Sequence, residues 1–214
     1  MNMPLDDIHT IAAAHKAVYD TVASEYEERA AVRSASSKQR VERFTKLLTT
    51  GKSILELGCA VGQELENFRA LGFEASGIEL SPKMAAYAVA RNPDANIIVG
   101  DFADIDFNET YDAIYAQAFI HLFPKNEAVR LVNKVYMLLK PGGVAFFGTT
   151  KSPDSEEGWI GKADYEGNLK RFRRFWTKEE LETTLVIASF RIVDYYEELD
   201  LEGKDRMNIT VKRE

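Results

Sequence analysis

The sequence has one cysteine, no long apolar run and no excess of basic residues, and each shortage excludes a class of protein. Cys59 cannot form an internal disulfide, so we expect a reducing, cytoplasmic location. No run reaches the length of a membrane span, and the N-terminal segment has acids and histidines where a secretory signal needs basic and then apolar residues. The 34 acidic against 27 basic residues give a net charge of −7, which disfavours nucleic-acid and membrane partners.

The remaining composition is typical of one globular domain. The 214 residues are 45% hydrophobic and 11% aromatic, which is enough for one sizeable core. We therefore expect a single domain over residues 1–214, and we predict no metal site in it.

Two helices are predicted before the first strand. Apolar residues from Ile8 to Tyr26 recur at helical spacing, which predicts a helix over about 6–29. The polar stretch SASSKQ is expected to interrupt the helical pattern. A second helix is then predicted over about 38–48, with Gly51 as its left-handed cap.

From Ser53 onward, strand and helix patterns alternate. Strands separated by helices form βαβ units, hence a parallel sheet with both faces covered. A capping box at Thr177 and Glu180 predicts a late helix over about 178–188, and two extended segments around Gly203 predict an antiparallel hairpin. The predicted fold is thus α/β and doubly wound, with a mostly parallel sheet of seven strands. The predicted strands are SILEL, EASGIEL, ANIIVG, YDAIYAQ, GVAFFGTT, FRIVDYYEELD and RMNITVKRE.

Ligand-binding residues of such a sheet follow the carboxyl ends of its strands. After the first strand, Gly58 and Gly62 allow close backbone approach, but their spacing lacks the middle glycine of a dinucleotide fingerprint. The second strand ends at Glu79, which can accept both hydroxyls of a ribose. The third ends at Asp101 and Phe102, which can meet an adenine amino group and ring. Glu79 could instead be an ordinary acid at a strand end, and Asp101 could merely cap a turn. We favour the interpretation that both residues bind a nucleoside.

These residues resemble the class I S-adenosylmethionine-dependent methyltransferases. The matching stretches are ILELGCAVG, GIELSPKM, VGDFADI, YDAIYAQAFIHLF and LLKPGGVAFFGT, in the order of that family. The resemblance is to the compact small-molecule N- and O-methyltransferases, and it implies a Rossmann-like fold. S-Adenosyl-L-methionine is then the implied donor and S-adenosyl-L-homocysteine the product. The implied segments are lid helices at 1–50, a donor-binding core at 53–150, a substrate-side insertion at 151–176 and a C-terminal helix and hairpin at 177–214.

The resemblance also implies roles for single residues around the donor. The glycine turn would line the methionine moiety, Glu79 would hold the ribose, and Glu56 would lie behind the turn near the donor's amino group. Met84 is expected to be a core residue in either case, and Cys59 is expected to serve packing. The implied donor-binding residues are Glu56, Gly58, Ala60, Gly62, Glu79, Leu80, Met84, Asp101, Phe102 and Gln117.

Three residues are candidates for the transfer step. His121 follows the fourth strand, whose end faces the methyl group in this family, and is the candidate base. A structural histidine bonded to backbone is the alternative. Tyr19 and Tyr26 share one face of the first helix, where the resemblance suggests a cover over the donor and packing on the sheet is the alternative. His15, on the apolar stripe, is expected to be a buried structural histidine.

The long segment between the fifth strand and the late helix is the candidate acceptor wall. Trp159, Tyr165, Arg171 and Arg173 are its candidates for contacting the acceptor. The basic run over 170–174 can bind a carboxylate or phosphate, but a solvated strand face is the favoured interpretation.

The predicted function is in-line methyl transfer to a nitrogen or oxygen nucleophile of a small-molecule acceptor. An RNA or protein methyltransferase, and a donor-binding protein that does not transfer methyl groups, are the alternatives. The stretch QAFIHL stands where an N-P-P-Y motif would indicate methylation of a base or a glutamine amide. The expected assembly is a monomer or homodimer.

Overall fold

Two helices precede the sheet, and helices and strands then alternate. The computed structural model describes residues 8–49, 51–161 and 169–214. No helix in these three stretches is both long and apolar enough to cross a membrane. The elements are α1 (Ile8–Thr21), α2 (Ala23–Thr45), β1 (Ser53–Leu57), α3 (Gln63–Ala70), β2 (Glu74–Glu79), α4 (Pro82–Arg91), β3 (Ile97–Val99), β4 (Tyr111–Gln117), α5 (Lys125–Leu138), β5 (Leu139–Thr150), β6 (Glu156–Gly161), β7 (Lys170–Phe175), α6 (Lys178–Ile187), β8 (Phe190–Leu199) and β9 (Asp205–Arg213).

Seven strands form one sheet in the order β3-β2-β1-β4-β5-β9-β8. The first five of these pair in parallel, whereas β9 runs antiparallel to both of its neighbours. This confirms the predicted doubly wound sheet with a C-terminal antiparallel hairpin. The strand order reverses between β1 and β4, which is the point where open parallel sheets bind ligands.

Alternating side chains of the strands enter two cores, one on each face of the sheet. On one face, Ile54 and Tyr115 pack with Phe44 of α2 and Phe68 of α3. On the other, residues such as Leu55 pack with α5 and α6. Each large apolar side chain so buried contributes about 1.5–3 kcal/mol. The parallel strands are therefore covered on both sides and carry their polar residues mainly at their ends.

The boundary between the first two helices differs from the prediction. The helices meet at Val22, and α2 continues through SASSKQ to Thr45. Ser37 in that stretch is fully buried, and its hydroxyl accepts a 2.9 Å hydrogen bond from the Asn67 amide of α3. Packing on α3 thus outweighs the low helix propensity of serine.

Gly51 does not cap a helix, although its backbone is left-handed as predicted, with φ of 77°. α2 ends at Thr45, and Gly51 instead lies against Asp112 of β4. A Cβ at Gly51 would lie 2.0 Å from Cγ of Asp112. The glycine therefore admits the carboxylate that accepts hydrogen bonds from the N–H groups of Lys52 and Ser53 at 3.1 and 3.0 Å.

Within segment 151–176, β6 and β7 pair as a second, two-stranded sheet. The expectation of a solvated basic face on β7 is wrong, because Arg171 and Arg174 are 7% and 4% exposed. Arg174 pairs with Glu157 and Glu180 at 2.6 Å each and so joins β7 to β6 and α6. A buried arginine requires ion-pair or hydrogen-bond partners to compensate for its lost hydration. The Arg171 guanidinium group donates one such hydrogen bond to the Tyr19 hydroxyl of α1.

Candidate functional site

A continuous cavity of about 340 Å³ lies at the carboxyl ends of β1, β2, β3 and β4, with α1 and α2 contributing to its wall. Gly62 and Trp159 are absent from the described lining; Trp159 packs on Phe172 with ring centroids 6.1 Å apart. Tyr165 lies outside the described residues. The predicted residues that line the cavity are Tyr19, Tyr26, Glu56, Gly58, Ala60, Glu79, Leu80, Met84, Asp101, Phe102, Gln117, His121, Arg171 and Arg173.

The turn after β1 brings backbone to the cavity through left-handed residues. Gly58, Ala60 and Gly62 have φ of 69°, 48° and 76°. Glycine adopts these angles without steric cost, whereas Ala60 is an uncommon alanine in that region. Gly62 begins α3, where a Cβ would lie 3.0 Å from Cα of Ala88 and 2.7 Å from the Asn92 amide nitrogen. The absence of a side chain at Gly62 thus allows α3 to pack closely on α4.

Glu79 is held at the end of β2 by two backbone N–H groups. Its carboxylate accepts hydrogen bonds from Ala60 at 2.9 Å and from Ser81 at 2.8 Å. Burial raises the pKa of Glu79, while these two N–H groups oppose that shift. Each carboxylate oxygen has a second lone pair. The fixed group can therefore accept further hydrogen bonds from a ligand.

Asp101 and Phe102 form the end of the cavity beside β3. The Asp101 carboxylate accepts a 2.8 Å hydrogen bond from the Ala103 N–H, and burial raises the pKa of Asp101. Phe102 is buried and packs edge-to-face on Phe119 at 5.9 Å. Met84 of α4 is both fully buried and part of the lining, as expected. This end of the cavity thus combines a carboxylate that can accept hydrogen bonds from N–H groups with apolar walls.

Glu56 and Gln117 both line the cavity, and each has one buried oxygen atom without a hydrogen-bond partner among the described residues. Burial, with Glu64 and Glu79 adding to it, raises the pKa of Glu56 well above its ordinary value. Glu56 Oε2 and Gln117 Oε1 are both buried and form no hydrogen bond with any described residue. Gly148 makes room for the amide, since a Cβ there would lie 1.8 Å from Gln117 Oε1. Such unsatisfied oxygens are rare in proteins, and an ammonium group would satisfy them.

His121 is buried on a short 3-10 helix over Ile120–Leu122. Its Nδ1 lies 3.1 Å from Oγ1 of Thr149, so its partner is a side chain rather than backbone. Burial lowers the pKa of His121 well below its ordinary value, and the charges of Arg173 and Arg171 lower it further. The imidazole is therefore neutral at neutral pH and can accept a proton or a hydrogen bond.

Tyr19 connects α1 to the acceptor side of the cavity. Its ring packs edge-to-face on Tyr26 at 6.0 Å and stacks on His15 at 6.1 Å, and burial raises the pKa of Tyr19 to about 12. His15 is buried as predicted, with Nε2 3.2 Å from the Leu122 carbonyl oxygen. Burial and the charge of Arg171 lower the pKa of His15 to about 4. These contacts hold α1 in the wall of the cavity.

Thr150 and Arg206 also line the cavity, although the sequence prediction omitted both. The two residues are direct partners in the antiparallel pairing of β5 with β9. The signal that identifies them is topological. An antiparallel strand begins at the sheet edge where its parallel neighbours end, so the first residues of β9 lie beside the ligand site.

Comparison with known proteins gives the same result as the motifs. Residues 54–143 match the family model for a methyltransferase domain. The chain is 30% identical over 142 residues to dTDP-4-amino-2,3,4,6-tetradeoxy-D-glucose N,N-dimethyltransferase of Saccharopolyspora spinosa, covering 65% of this chain and 56% of that protein. It is 30% identical over 107 residues to a ubiquinone biosynthesis O-methyltransferase of Paraburkholderia xenovorans, covering 47% of this chain and 45% of that protein. The chain thus spans about half the length of these two relatives.

The fold is similar to that of a solved structure over its whole described extent. That structure is 1,6-didemethyltoxoflavin-N1-methyltransferase of Burkholderia thailandensis with bound 1,6-didemethyltoxoflavin and S-adenosylhomocysteine. The TM-score is 0.80 at 17% identity, covering 100% of this chain and 93% of that chain. At this identity the likeness concerns the fold alone. The matched family model agrees with the resemblance drawn from the motifs: residues 54–143 are similar to a methyltransferase domain.

Proposed function

We propose that the protein transfers a methyl group from S-adenosylmethionine to a nitrogen atom of a small-molecule acceptor. The observation that carries this proposal is the continuous cavity in which Glu79, Asp101 and the buried His121 all take part. The relatives named as an N,N-dimethyltransferase and an N1-methyltransferase favour nitrogen. The relative named as an O-methyltransferase makes oxygen the second candidate.

The side chains of the donor side fit S-adenosylmethionine chemically. Glu79 would accept hydrogen bonds from the ribose hydroxyls, and Asp101 from the adenine amino group beside the Phe102 ring. The buried oxygens of Glu56 and Gln117 would accept from the ammonium group. When bound, the donor supplies a methyl group on a positively charged sulfur, which is already activated toward nucleophiles.

On the acceptor side, the chain's own residues orient the nucleophile, exclude water and accept a proton. The neutral imidazole of His121 would take the proton of the incoming amine, or hold that amine by a hydrogen bond. Because an amine can lose its proton to solvent before it attacks, the transfer does not require a strong base at His121. Tyr19 and Tyr26 would cover the cavity, keeping water away and restricting the acceptor's orientation.

Calorimetry tests the donor half of the proposal. We expect S-adenosylmethionine and S-adenosylhomocysteine to bind the purified chain, and NAD to bind far more weakly, since the glycine turn lacks the dinucleotide spacing. A preference for NAD would overturn the donor assignment.

Methyl transfer is tested with radiolabelled S-adenosylmethionine and an extract divided into metabolites, RNA and protein. We expect label in the metabolite fraction, on nitrogen. Label in RNA or protein would replace the small-molecule proposal with the macromolecular alternative. Donor binding without label in any fraction would indicate a protein that binds the donor and does not transfer its methyl group.

The same proposal includes the chain's organisation and location. Residues 1–214 would act as one domain, with residues 1–50 as the lid and 151–176 as the acceptor wall. The buried Cys59 thiol has no disulfide partner in the sequence, which suits the reducing cytoplasm. The expected assembly is a monomer or homodimer.

A further inference from the structure

Three arginines meet at the end of the cavity that is remote from Asp101. Arg171 and Arg173 alternate on one face of β7, and Arg206 enters from β9. Four strands separate β9 from β3, the strand that leads to Asp101. All three guanidinium groups act on His121, whose pKa they lower after the larger effect of burial. Three guanidinium groups therefore adjoin the candidate base, and the carboxylates of Asp200 and Glu202 also belong to the cavity lining.

Two of these guanidinium groups share one neutral oxygen atom. Nη2 of Arg173 and Nη1 of Arg206 donate to Oγ1 of Thr150 at 2.6 and 3.2 Å. The Arg206 side chain is 12% exposed, and the Asp200 carboxylate lies 4.0 Å from it. Holding like charges this close in a poorly hydrated place is costly. Burial lowers the pKa of Arg206 to about 10; the charge of Asp200 opposes this shift, and the charge of Arg173 adds to it.

Arg174, in the same strand, has a structural role. Both ends of its guanidinium group meet carboxylates, those of Glu157 and Glu180, at 2.6 Å. Arg171 and Arg173 face the opposite way, and their contacts include the neutral hydroxyls of Tyr19 and Thr150. Arg174 thus joins β7 to β6 and α6, whereas Arg171 and Arg173 lie in the cavity wall.

The overall charge makes this local concentration of cations notable. With a net charge of −7, the protein's general field repels anions. Within the partly closed cavity, an anion would therefore be attracted by the nearby guanidinium groups and not by the net charge of the protein. Arginine also suits this purpose better than lysine, since its planar fork binds carboxylate or phosphate through two parallel hydrogen bonds.

We propose that the methyl acceptor carries an oxyanion group, a carboxylate or a phosphate, which Arg171, Arg173 and Arg206 bind while the nucleophile lies beside His121. This inference rests on the proposed function, whose acceptor class it narrows. Fixing the oxyanion at one end of the cavity orients the acceptor toward the donor. It also partly neutralises the cations around His121, so acceptor binding makes the imidazole a stronger base.

The test measures binding of inorganic phosphate, pyrophosphate and succinate to the protein saturated with S-adenosylhomocysteine. We expect saturable binding of at least one of them, and a loss of about 10- to 100-fold in affinity in Arg206→Gln and in Arg173→Gln. Arg206→Lys, which keeps the charge and loses the fork, should fall between. Arg191→Gln is the matched control, because Arg191 lies on β8 and pairs with Glu214 at the exposed end of the chain.

Histidine NMR gives a second readout, since binding of the anion should raise the pKa of His121 in the wild type and not in Arg206→Gln. A preference for phosphates or for succinate identifies the kind of oxyanion. Absence of binding by all three anions, or binding that Arg206→Gln and Arg173→Gln leave unchanged, would overturn the inference. S-Adenosylhomocysteine affinity and methyl transfer into the extract are measured on the same proteins, so failure of this inference is distinguished from failure of the proposed function.

Discussion

The Tyr19 hydroxyl accepts a 2.8 Å hydrogen bond from Nη1 of Arg171, and this contact joins α1 to β7 at the edge of the cavity. In the proposed function, α1 would cover the donor side and β7 would form the acceptor wall. The hydrogen bond therefore couples the position of the cover to that of the acceptor wall. Arg171 is buried and Tyr19 is partly buried, so each group depends on the other for part of its hydrogen bonding.

Replacing Tyr19 by phenylalanine should impair acceptor recognition more than donor binding. The change removes a hydroxyl that bonds to a cation, an interaction worth about 1.5–3 kcal/mol, and leaves the ring packing in place. Steady-state kinetics should show a higher KM for the acceptor, while calorimetry shows an unchanged affinity for S-adenosylhomocysteine. Tyr136→Phe, in α5 against Phe190, is the control. An unchanged acceptor KM would assign Tyr19 to packing.

Glu79→Gln and Asp101→Asn should each weaken donor binding by about 1–3 kcal/mol, since each removes a charged acceptor from a buried ligand site. Calorimetry with S-adenosylhomocysteine measures the loss. Glu74→Gln, at the exposed start of β2, should bind as the wild type does. Full affinity in both variants would contradict the assignment of the nucleoside end.

Glu56→Gln should stabilise the ligand-free protein while weakening donor binding. Burial raises the folded-state pKa of Glu56, so the ionised carboxylate costs stability at high pH, and this cost vanishes below the unfolded-state value of about 4.3. We expect a gain of roughly 1–3 kcal/mol at pH 7.5 that disappears as the pH falls toward that value. Urea unfolding at both pH values measures it, with Glu74→Gln as the control. No gain at pH 7.5 would show that Glu56 is compensated within the fold.

The sheet, and the gathering of Glu79 and Asp101 at one cavity, could be predicted from the sequence because their signals are local. Strand periodicity, the glycine turn and the acids that end β2 and β3 all lie within a few residues of one another, and βαβ connectivity gathers them at one edge. Gly62 shows the limit of this reasoning: its proximity to Ala88 of α4 cannot be inferred from the turn itself.

The end of the cavity formed by β7 and β9 was harder to predict from the sequence, because tertiary contacts determine it. The basic run of β7 has the composition of a solvated face, and partners distant in the sequence, Glu180 and Tyr19, allow its burial. Ser37 similarly lies in a helix because α3 receives its side chain. Arg206 lies at the cavity because β9 runs antiparallel to β5. The predicted hairpin implies this direction, but the residue type of Arg206 alone does not indicate a place in the site.

His121→Asn should lower turnover while donor affinity stays unchanged. Asparagine can retain the contact made by Nδ1 with Thr149 and lacks Nε2, so the loss would report proton transfer or orientation, worth about 100- to 10,000-fold. Burial and the nearby arginines hold the pKa of His121 well below 6.5, so the imidazole stays neutral and kcat/KM should not fall through pH 6.5 on acidification. Arg206→Gln removes one of these cations and should move the acidic limb to higher pH. The exposed His9→Gln is the control, and full turnover in His121→Asn would make His121 a structural residue.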